Sequence, residues 1–290
     1  QSAKKTCRFL GLSEGQTALL CMPLRFIGAK MVMVRALLSG LEVVSVTPSS
    51  NPFKDLTACV NFAAMTPMQV FMTLKDATSA QRLKSVGKLI IGGSFISKEL
   101  RREIERFPNP VWSTYGMTET LSHVALCPLN GLEASDRFKP LEGVRVSLSD
   151  RKTLIVDAPD IVDGPLQTND IAQIFPDGSF TILGRLDNVI NSGGIKMSPE
   201  TIEGALEGLF DPPIAISAIE DARLGEMVVI VSEGPLPENW ETVCRAALSK
   251  YSIPRRHFVT QKLPRTESGK LDRVALKMLA KRLSAENENP

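Results

Sequence analysis

The sequence is short of the residue types that most often announce a function. Two histidines and five scattered cysteines, with no C-x-x-C pair, occur in 290 residues. That argues against a zinc cluster and for buried, reduced thiols in a cytoplasmic setting. A net charge of +2 is too small to attract nucleic acid or an anionic membrane surface. No apolar run reaches the roughly 20 residues that a membrane span needs, so membrane insertion is not expected. The opening stretch is not expected to be a signal peptide, and the sequence shows no internal repeat and no initiator methionine. The opening "QSAKKTCRFLGL" reads as a helix from inside a longer polypeptide.

What is present suits a soluble α/β protein. The chain is 43% hydrophobic and 23% charged, and its length allows about two domains. "TALLCMP" reads as a buried strand, "IGAKMVMVRALLSG" as a helix closed by Gly40, and "EVVSVTP" as a second strand, together a βαβ unit. "KLIIGG", "SKELRREIERF" and "VWSTY" repeat the alternation. Ser97 is the expected N-cap, and Leu100, Ile104 and Phe107 share one helical face. Such alternation predicts parallel strands covered by helices. After Pro140 come short alternating strands, "VRVSLSD", "TLIVDA", "IAQIF" and "SFTILG", the last two joined by a tight turn at Pro176-Asp177-Gly178. Ser198-Pro199 then signals a helix start. A hairpin is expected in "IAISAIEDARLGEMVVIV", a helix around Trp240 to Lys250, a basic helix from Asp272 and a solvated tail over "SAENENP".

Two stretches carry chemistry. In "STYGMTET", Ser113 to Thr120, a strand ends at Tyr115 and runs straight into Gly116, Thr118 and Glu119. Ligands of open α/β sheets bind beyond the carboxyl ends of strands. There a tyrosine face can stack on a planar base, a threonine can donate to a phosphate and a carboxylate can hold magnesium. A plain polar turn is the competing reading. In "LPRTESGKLDR", Lys270 follows a glycine, but Pro264 and Leu271 stand where a phosphate-binding P-loop needs glycine and Ser/Thr.

Taken together, these residues resemble the adenylate-forming enzymes: acyl-CoA synthetases, luciferases and peptide-synthetase adenylation domains. "YGMTE" is similar to their signature, and "IGGSF" to the segment whose glycines, here Gly92 and Gly93, line the acyl and adenine pocket. "TND" stands where they carry Thr-Gly-Asp, "GRLDNVINSGGIKMSPETIE" resembles their hinge segment, and "PRTESGK" their catalytic-lysine loop. The resemblance implies a large, partial AMP-binding domain over residues 1–186, with mixed sheets layered with helices and a small β-barrel-like portion. It implies a smaller mobile α/β domain over 187–290. It implies ATP, Mg2+ and coenzyme A as cofactors, a small carboxylic acid as substrate, and room for a homodimer. Lys270, Thr118 and Glu119 would be catalytic, with Glu119 on the metal. Gly92, Gly93, Tyr115, Gly116, Asp170, Arg185, Gly193, Gly194 and Lys196 would bind nucleotide or CoA, and Asp187 would be the hinge. Asn169 replaces a glycine, and a left-handed turn is expected to survive there because asparagine tolerates that backbone. The family's Ser/Thr/Gly-rich phosphate loop would lie upstream of Gln1.

The opening segment is most similar to o-succinylbenzoate–CoA ligases of menaquinone biosynthesis, in which an arginine matching Arg35 precedes an apolar helix end. A guanidinium suits the free carboxylate of a dicarboxylic acid. Arg35 as an exposed helix residue, and Arg25 or Lys30 in its place, are the alternatives. His123 either lines the acyl pocket or is packed, and Lys196 is equally readable as a surface cation. Glu200 and Glu203 read as first-turn helix acids, and His257 with its neighbouring arginines as solvated surface. Another acid with the same chemistry, or a noncatalytic nucleotide-binding protein, are the other functional readings.

Overall fold

A computed structural model describes residues 1–267 and 269–288, with Glu288 in its backbone only. By internal contacts the chain forms two compact units. One comprises Gln1–Asp150, Leu154–Thr168 and Gln173–Thr181; the other comprises Arg151–Thr153, Asn169–Ala172 and the residues from Ile182 onward.

The first unit opens with α1 (Ser2–Leu10), β1 (Thr17–Leu20), α2 (Ile27–Ser39) and β2 (Glu42–Ser45). Gly40 ends α2 in the left-handed conformation, as its place after the apolar run predicts. Next come β3 (Phe62–Met65), α3 (Pro67–Leu74), α4 (Ala77–Lys84), β4 (Lys88–Ile91) and α5 (Lys98–Ile104). The Ser97 side chain accepts from the Leu100 amide, so the expected cap forms. Phe107 lies beyond the end of α5, yet it is buried with Leu100 and Ile104. The unit continues with β5 (Val111–Gly116), β6 (His123–Pro128) and the short β7 (Lys139–Pro140). The seven strands are ordered β2-β1-β3-β4-β5-β6-β7. Pairs from β2 to β5 are parallel, and β6 and β7 add on antiparallel. Fully covered strands such as β3, Phe-Ala-Ala-Met, are apolar throughout because both faces are buried.

Next in the chain are β8 (Arg145–Leu148), β9 (Thr153–Asp157), β10 (Leu166–Ile174) and β11 (Phe180–Arg185). They form a four-stranded sheet ordered β11-β10-β9-β8, a curled half-barrel rather than a closed one. The turn at Pro176-Asp177-Gly178 forms as expected, with the Gly178 amide bonded to the Phe175 carbonyl at 2.9 Å. Asn169 corrects the sequence reading. It lies inside β10, and among the described residues Leu121 and Lys152 are the non-glycine residues with positive φ. The strand ladder holds the backbone extended, so no left-handed turn exists there for asparagine to rescue.

The second unit holds a 3-10 turn (Leu186–Asn188), β12 (Ile190–Ser192), β13 (Ile195–Met197), α6 (Pro199–Leu206), β14 (Ile214–Asp221), β15 (Gly225–Ser232), α7 (Trp240–Ala247), β16 (Arg256–Val259) and α8 (Arg273–Glu288). Ser198 caps α6, with Pro199 in its first turn. The expected β14–β15 hairpin is antiparallel along its whole length. Both of its faces are covered. Ile216, Ala218, Val228 and Ile230 pack with residues of α6 and α7, while Ala215, Ile219, Val229 and Val231 pack with Leu276 and Ala280 of α8. Each fully buried valine, isoleucine or leucine among them contributes roughly 1.5–3 kcal/mol.

Three surface expectations change. The tail over Ser284–Glu288 is helical, continuing α8 with Ser284 buried, though Ala285, Glu286 and Asn287 are solvated as expected; Asn289 and Pro290 lie outside the described residues. His257 is part-buried in β16 rather than solvated, with Nε2 2.6 Å from Ser232 Oγ. Cys59 is exposed, unlike Cys7, Cys21, Cys127 and Cys244.

Candidate functional site

In the first unit the site grows from the carboxyl ends of two neighbouring parallel strands. Ile91 of β4 is in register with Ser113 of β5, so Gly92-Gly93 and Tyr115-Gly116 emerge at the same sheet edge. A Cβ on Gly92 would fall 2.1 Å from Thr114 Oγ1, so the glycine leaves room for that hydroxyl. Gly116 lies at a register shift in the β5–β6 pairing. A Cβ there would meet His123 Cα and Ser122 O at 2.4 Å each, which no rotamer change could relieve. Tyr115 stands on its aromatic neighbours, its ring centroid 5.3 Å from Phe180 edge-on and 5.8 Å from Phe138. These two rings fix where the Tyr115 side chain stands.

The loop after Gly116 exposes Thr118 and Glu119 while burying Thr120. Thr120 Oγ1 accepts from the Met117 amide and donates to carbonyls of the same turn, which fixes the loop. Leu121 then takes a left-handed backbone, φ 62°, a strained conformation for a leucine. No group of three or more His, Cys, Asp or Glu among the described residues could hold a metal by itself. One exposed carboxylate beside a hydroxyl nonetheless fits magnesium, which keeps its waters and takes one or two carboxylates with phosphate oxygens.

Arg35 is the unexpected feature. It is 1% exposed, so the exposed-helix alternative is overturned. Its Nη2 donates to Ser122 Oγ at 2.6 Å, and its buried Nε has no partner. No carboxylate pairs with it among the described residues, and burial pulls its pKa down to about 10. His123, 5% exposed, approaches the same Ser122 hydroxyl. Its Nδ1 is 3.3 Å from Ser122 Oγ, its Nε2 is 2.9 Å from Thr6 Oγ1, and Thr6 donates on to the Ser2 carbonyl. One direction satisfies these groups: Arg35 donates to Ser122, Ser122 to His123, His123 to Thr6, and Thr6 to Ser2. That direction needs a neutral imidazole. Burial, and then the Arg35 charge, push the His123 pKa down to about 3.

In the second unit, Asp170, Arg185 and Asp187 meet. Arg185 Nη1 lies 3.1 Å from Asp170 Oδ1, and its Nη2 lies 2.8 Å from Asp187 Oδ2. Gly193 and Gly194 form the two-residue loop between β12 and β13, with φ 59° and 81°. Two successive positive φ values define a type I′ hairpin turn, which accounts for the glycine pair by itself. Lys196 is exposed on β13. Lys270 is exposed on a separate loop, where its carbonyl accepts from the Thr266 amide at 2.8 Å and the Asp272 amide returns to the Pro264 carbonyl at 2.9 Å.

Sequence reasoning missed Ser122, Thr6 and the pairing of Glu203 with Arg273. Glu203 is not a simple first-turn acid: Arg273 grips it with two nitrogens, at 2.8 and 2.7 Å. Burial pushes the Glu203 carboxyl up despite that partner. Burial pulls on Arg273 too, but its bonds and attraction to Glu203 and Glu200 leave its pKa raised. Partners 70 positions apart leave no local pattern to read.

The parallel-rich sheet with its antiparallel half-barrel is that of the adenylate-forming enzymes, and the chain belongs to the AMP-binding enzyme family, whose model matches residues 2–164. More particularly, it is 27% identical to the 2-succinylbenzoate–CoA ligase of Staphylococcus epidermidis, over 95% of this chain and 64% of that relative. Among solved structures it is 31% identical to an AMP-forming acyl-CoA synthetase/AMP-acid ligase II-like protein from Dyadobacter fermentans, covering 95% of this chain and 81% of the other at a TM-score of 0.61. ATP-bound MatB from Rhodopseudomonas palustris shares the fold, with a TM-score of 0.86 at 18% identity over 97% of this chain and 63% of its own. The chain thus spans about 64% of the length of the curated relative. Among the described residues no helix is long and apolar enough to cross a membrane.

Proposed function

We propose that the protein is an ATP-dependent acid–thiol ligase that activates a dicarboxylic acid, o-succinylbenzoate, for transfer to CoA. The observation that carries the choice of acid is Arg35, a buried cation without an internal anion, hydrogen-bonded to the loop that also bears Thr118 and Glu119. Burying an unpaired charge costs several kcal/mol, and an incoming carboxylate offsets that cost. The name of the Staphylococcus relative supports the same acid.

In the first step one carboxylate oxygen of the acid bonds to the α-phosphorus of ATP as the bond to pyrophosphate breaks. Both reactants are anionic, so charge stabilisation outweighs proton transfer as the task. Thr118 would donate to the α-phosphate, and Lys270 would neutralise charge on the reacting oxygens. Magnesium, when bound at Glu119, would supply further positive charge to the phosphates. Tyr115 would carry the adenine, and Asp170 with Arg185 would bind the ribose hydroxyls. In the second step the CoA sulfur bonds to the activated carbonyl carbon, AMP departs with the old oxygen bond, and the thiol proton passes to solvent. Rotation about Asp187 would exchange Lys270 for the Gly193-Gly194 hairpin between the two steps, and Lys196 would lie on the CoA side.

Pyrophosphate release over a panel of acids, with magnesium-ATP and CoA, tests the proposal. Release with o-succinylbenzoate well above that with aromatic monoacids supports it. Equal release with benzoate or fatty acids would reassign the acid, and no release with any acid would favour a noncatalytic nucleotide-binding role.

A further inference from the structure

Helix α8 starts three residues after Lys270, and its first residue is Arg273. Besides its two bonds to Glu203, Arg273 donates to the Ile216 carbonyl at 3.2 Å and lies 3.5 Å from Glu200. Glu203 accepts the Ile216 amide at 2.7 Å. Glu200 accepts from Asn188 Nδ2 at 2.5 Å and from Ser198 Oγ at 2.7 Å. One guanidinium therefore ties the start of α8 to α6, to β14 and, through Asn188, to the turn holding Asp187. One helical turn further on, Lys277 bonds Glu226 at 2.7 Å, and Glu226 accepts the Asn191 amide of β12 at 2.8 Å.

The Lys270 loop is closed on itself by the Thr266 and Asp272 amide bonds and by Arg265 donating to the Gly269 carbonyl at 3.0 Å. Asp272 then caps α8 by accepting the Ala275 amide at 3.0 Å. No slack separates the loop from the helix, so where the helix begins decides where the loop stands. Helix α8 already has an apolar face to hold it, through Leu276 and Ala280. A desolvated ion pair adds little net stability over an apolar substitute, but its fork geometry fixes register and orientation. The Arg273 and Glu203 side chains are 21% and 22% exposed, enclosed enough for that geometry to be held.

Resting on the ligase reading above, we infer that Arg273, gripped by Glu203, is a positioning residue: it fixes the Lys270 loop relative to the Asp187 turn, making lysine and pivot parts of one rigid body. Arg273→Lys keeps the charge and removes the fork, and Glu203→Gln removes the charge with little change of shape. Hydrogen exchange on the full chain reads the loop without reference to activity. In Arg273→Lys the Thr266 and Asp272 amides should exchange about tenfold faster, while the β14–β15 amides keep their wild-type rates. Pyrophosphate release should fall about tenfold in kcat with KM for ATP nearly unchanged, and thioester formation from a supplied acyl-adenylate should persist. Glu203→Gln should reproduce both effects. Unchanged loop exchange in a folded Arg273→Lys overturns the inference, as does acceleration spread evenly through β14 and β15. Lack of pyrophosphate release by the wild-type protein overturns the ligase reading instead, and loop exchange still decides the positioning role.

Discussion

Two arginines, one in each unit, are both withdrawn from solvent and are treated in opposite ways. Arg273 meets two carboxylates and a carbonyl, so its charge is satisfied within the protein. Arg35 meets a serine hydroxyl, which in turn meets a neutral histidine, and its Nε bonds to nothing. A charge with an internal partner serves architecture, and in the proposed reading the one without is kept for a ligand. The contrast gives the proposed reading a physical test, because an incoming carboxylate would offset the cost of burying Arg35 unpaired.

The largest expected effect lies outside both. Lys270→Ala should cut adenylate formation by about 10²–10³-fold, the usual loss when a transition-state charge partner is removed, and spare thioester formation from a supplied adenylate. Pyrophosphate release and thioester assays on the same preparation check the split, and equal loss in both would break the two-step assignment. Next come the arginines. Arg273→Met leaves Glu203 buried with its charge and should destabilise the protein by about 3–5 kcal/mol in denaturant unfolding. Arg35→Met removes an unpaired charge and should raise the melting temperature while abolishing preference for a dicarboxylic acid. Melting shifts of the same sign would erase the comparison. A smaller effect concerns pH. Because the His123 pKa falls from about 6.5 to about 3 on folding, the unfolded chain binds the extra proton between those values. Its contribution to stability is therefore intact above pH 6.5 and is lost as pH falls toward 3; His123→Gln should flatten that part of a urea-stability profile. The least is Gly194→Ala, costing about 1 kcal/mol through a positive φ, read as a modest drop in melting temperature.

Sequence alone made legible whatever rests on local pattern. The Gly40 stop, the Ser97 and Ser198 caps, the turn at Asp177-Gly178 and the β14–β15 alternation each follow from a few adjacent residues, and the structure shows each of them. The ordered motifs named the family for the same reason. What stayed hidden depends on distant partners. Arg35 could not be told from a surface arginine until Ser122, 87 positions away, was seen against it. Asn169 misled because the turn was assigned by resemblance, while the β10 ladder decides its backbone. His257 was read from its charged neighbours rather than from Ser232 on the adjoining strand.

The antiparallel joint between β5 and β6 has a consequence for the order of folding. Its connecting loop, 117–122, is short, whereas the parallel pairs of the same sheet need long crossovers whose closure entropy is met first. Contacts of low sequence separation form early. Tyr115, Thr118, Glu119 and His123 therefore belong to a piece expected to assemble ahead of the sheet around it, and Arg35 arrives afterwards. Substitutions at Gly116 should slow folding, while those at Arg35 should act on the unfolding rate. The loop bearing Thr118 and Glu119 would then stand in place before Arg35 packs against Ser122.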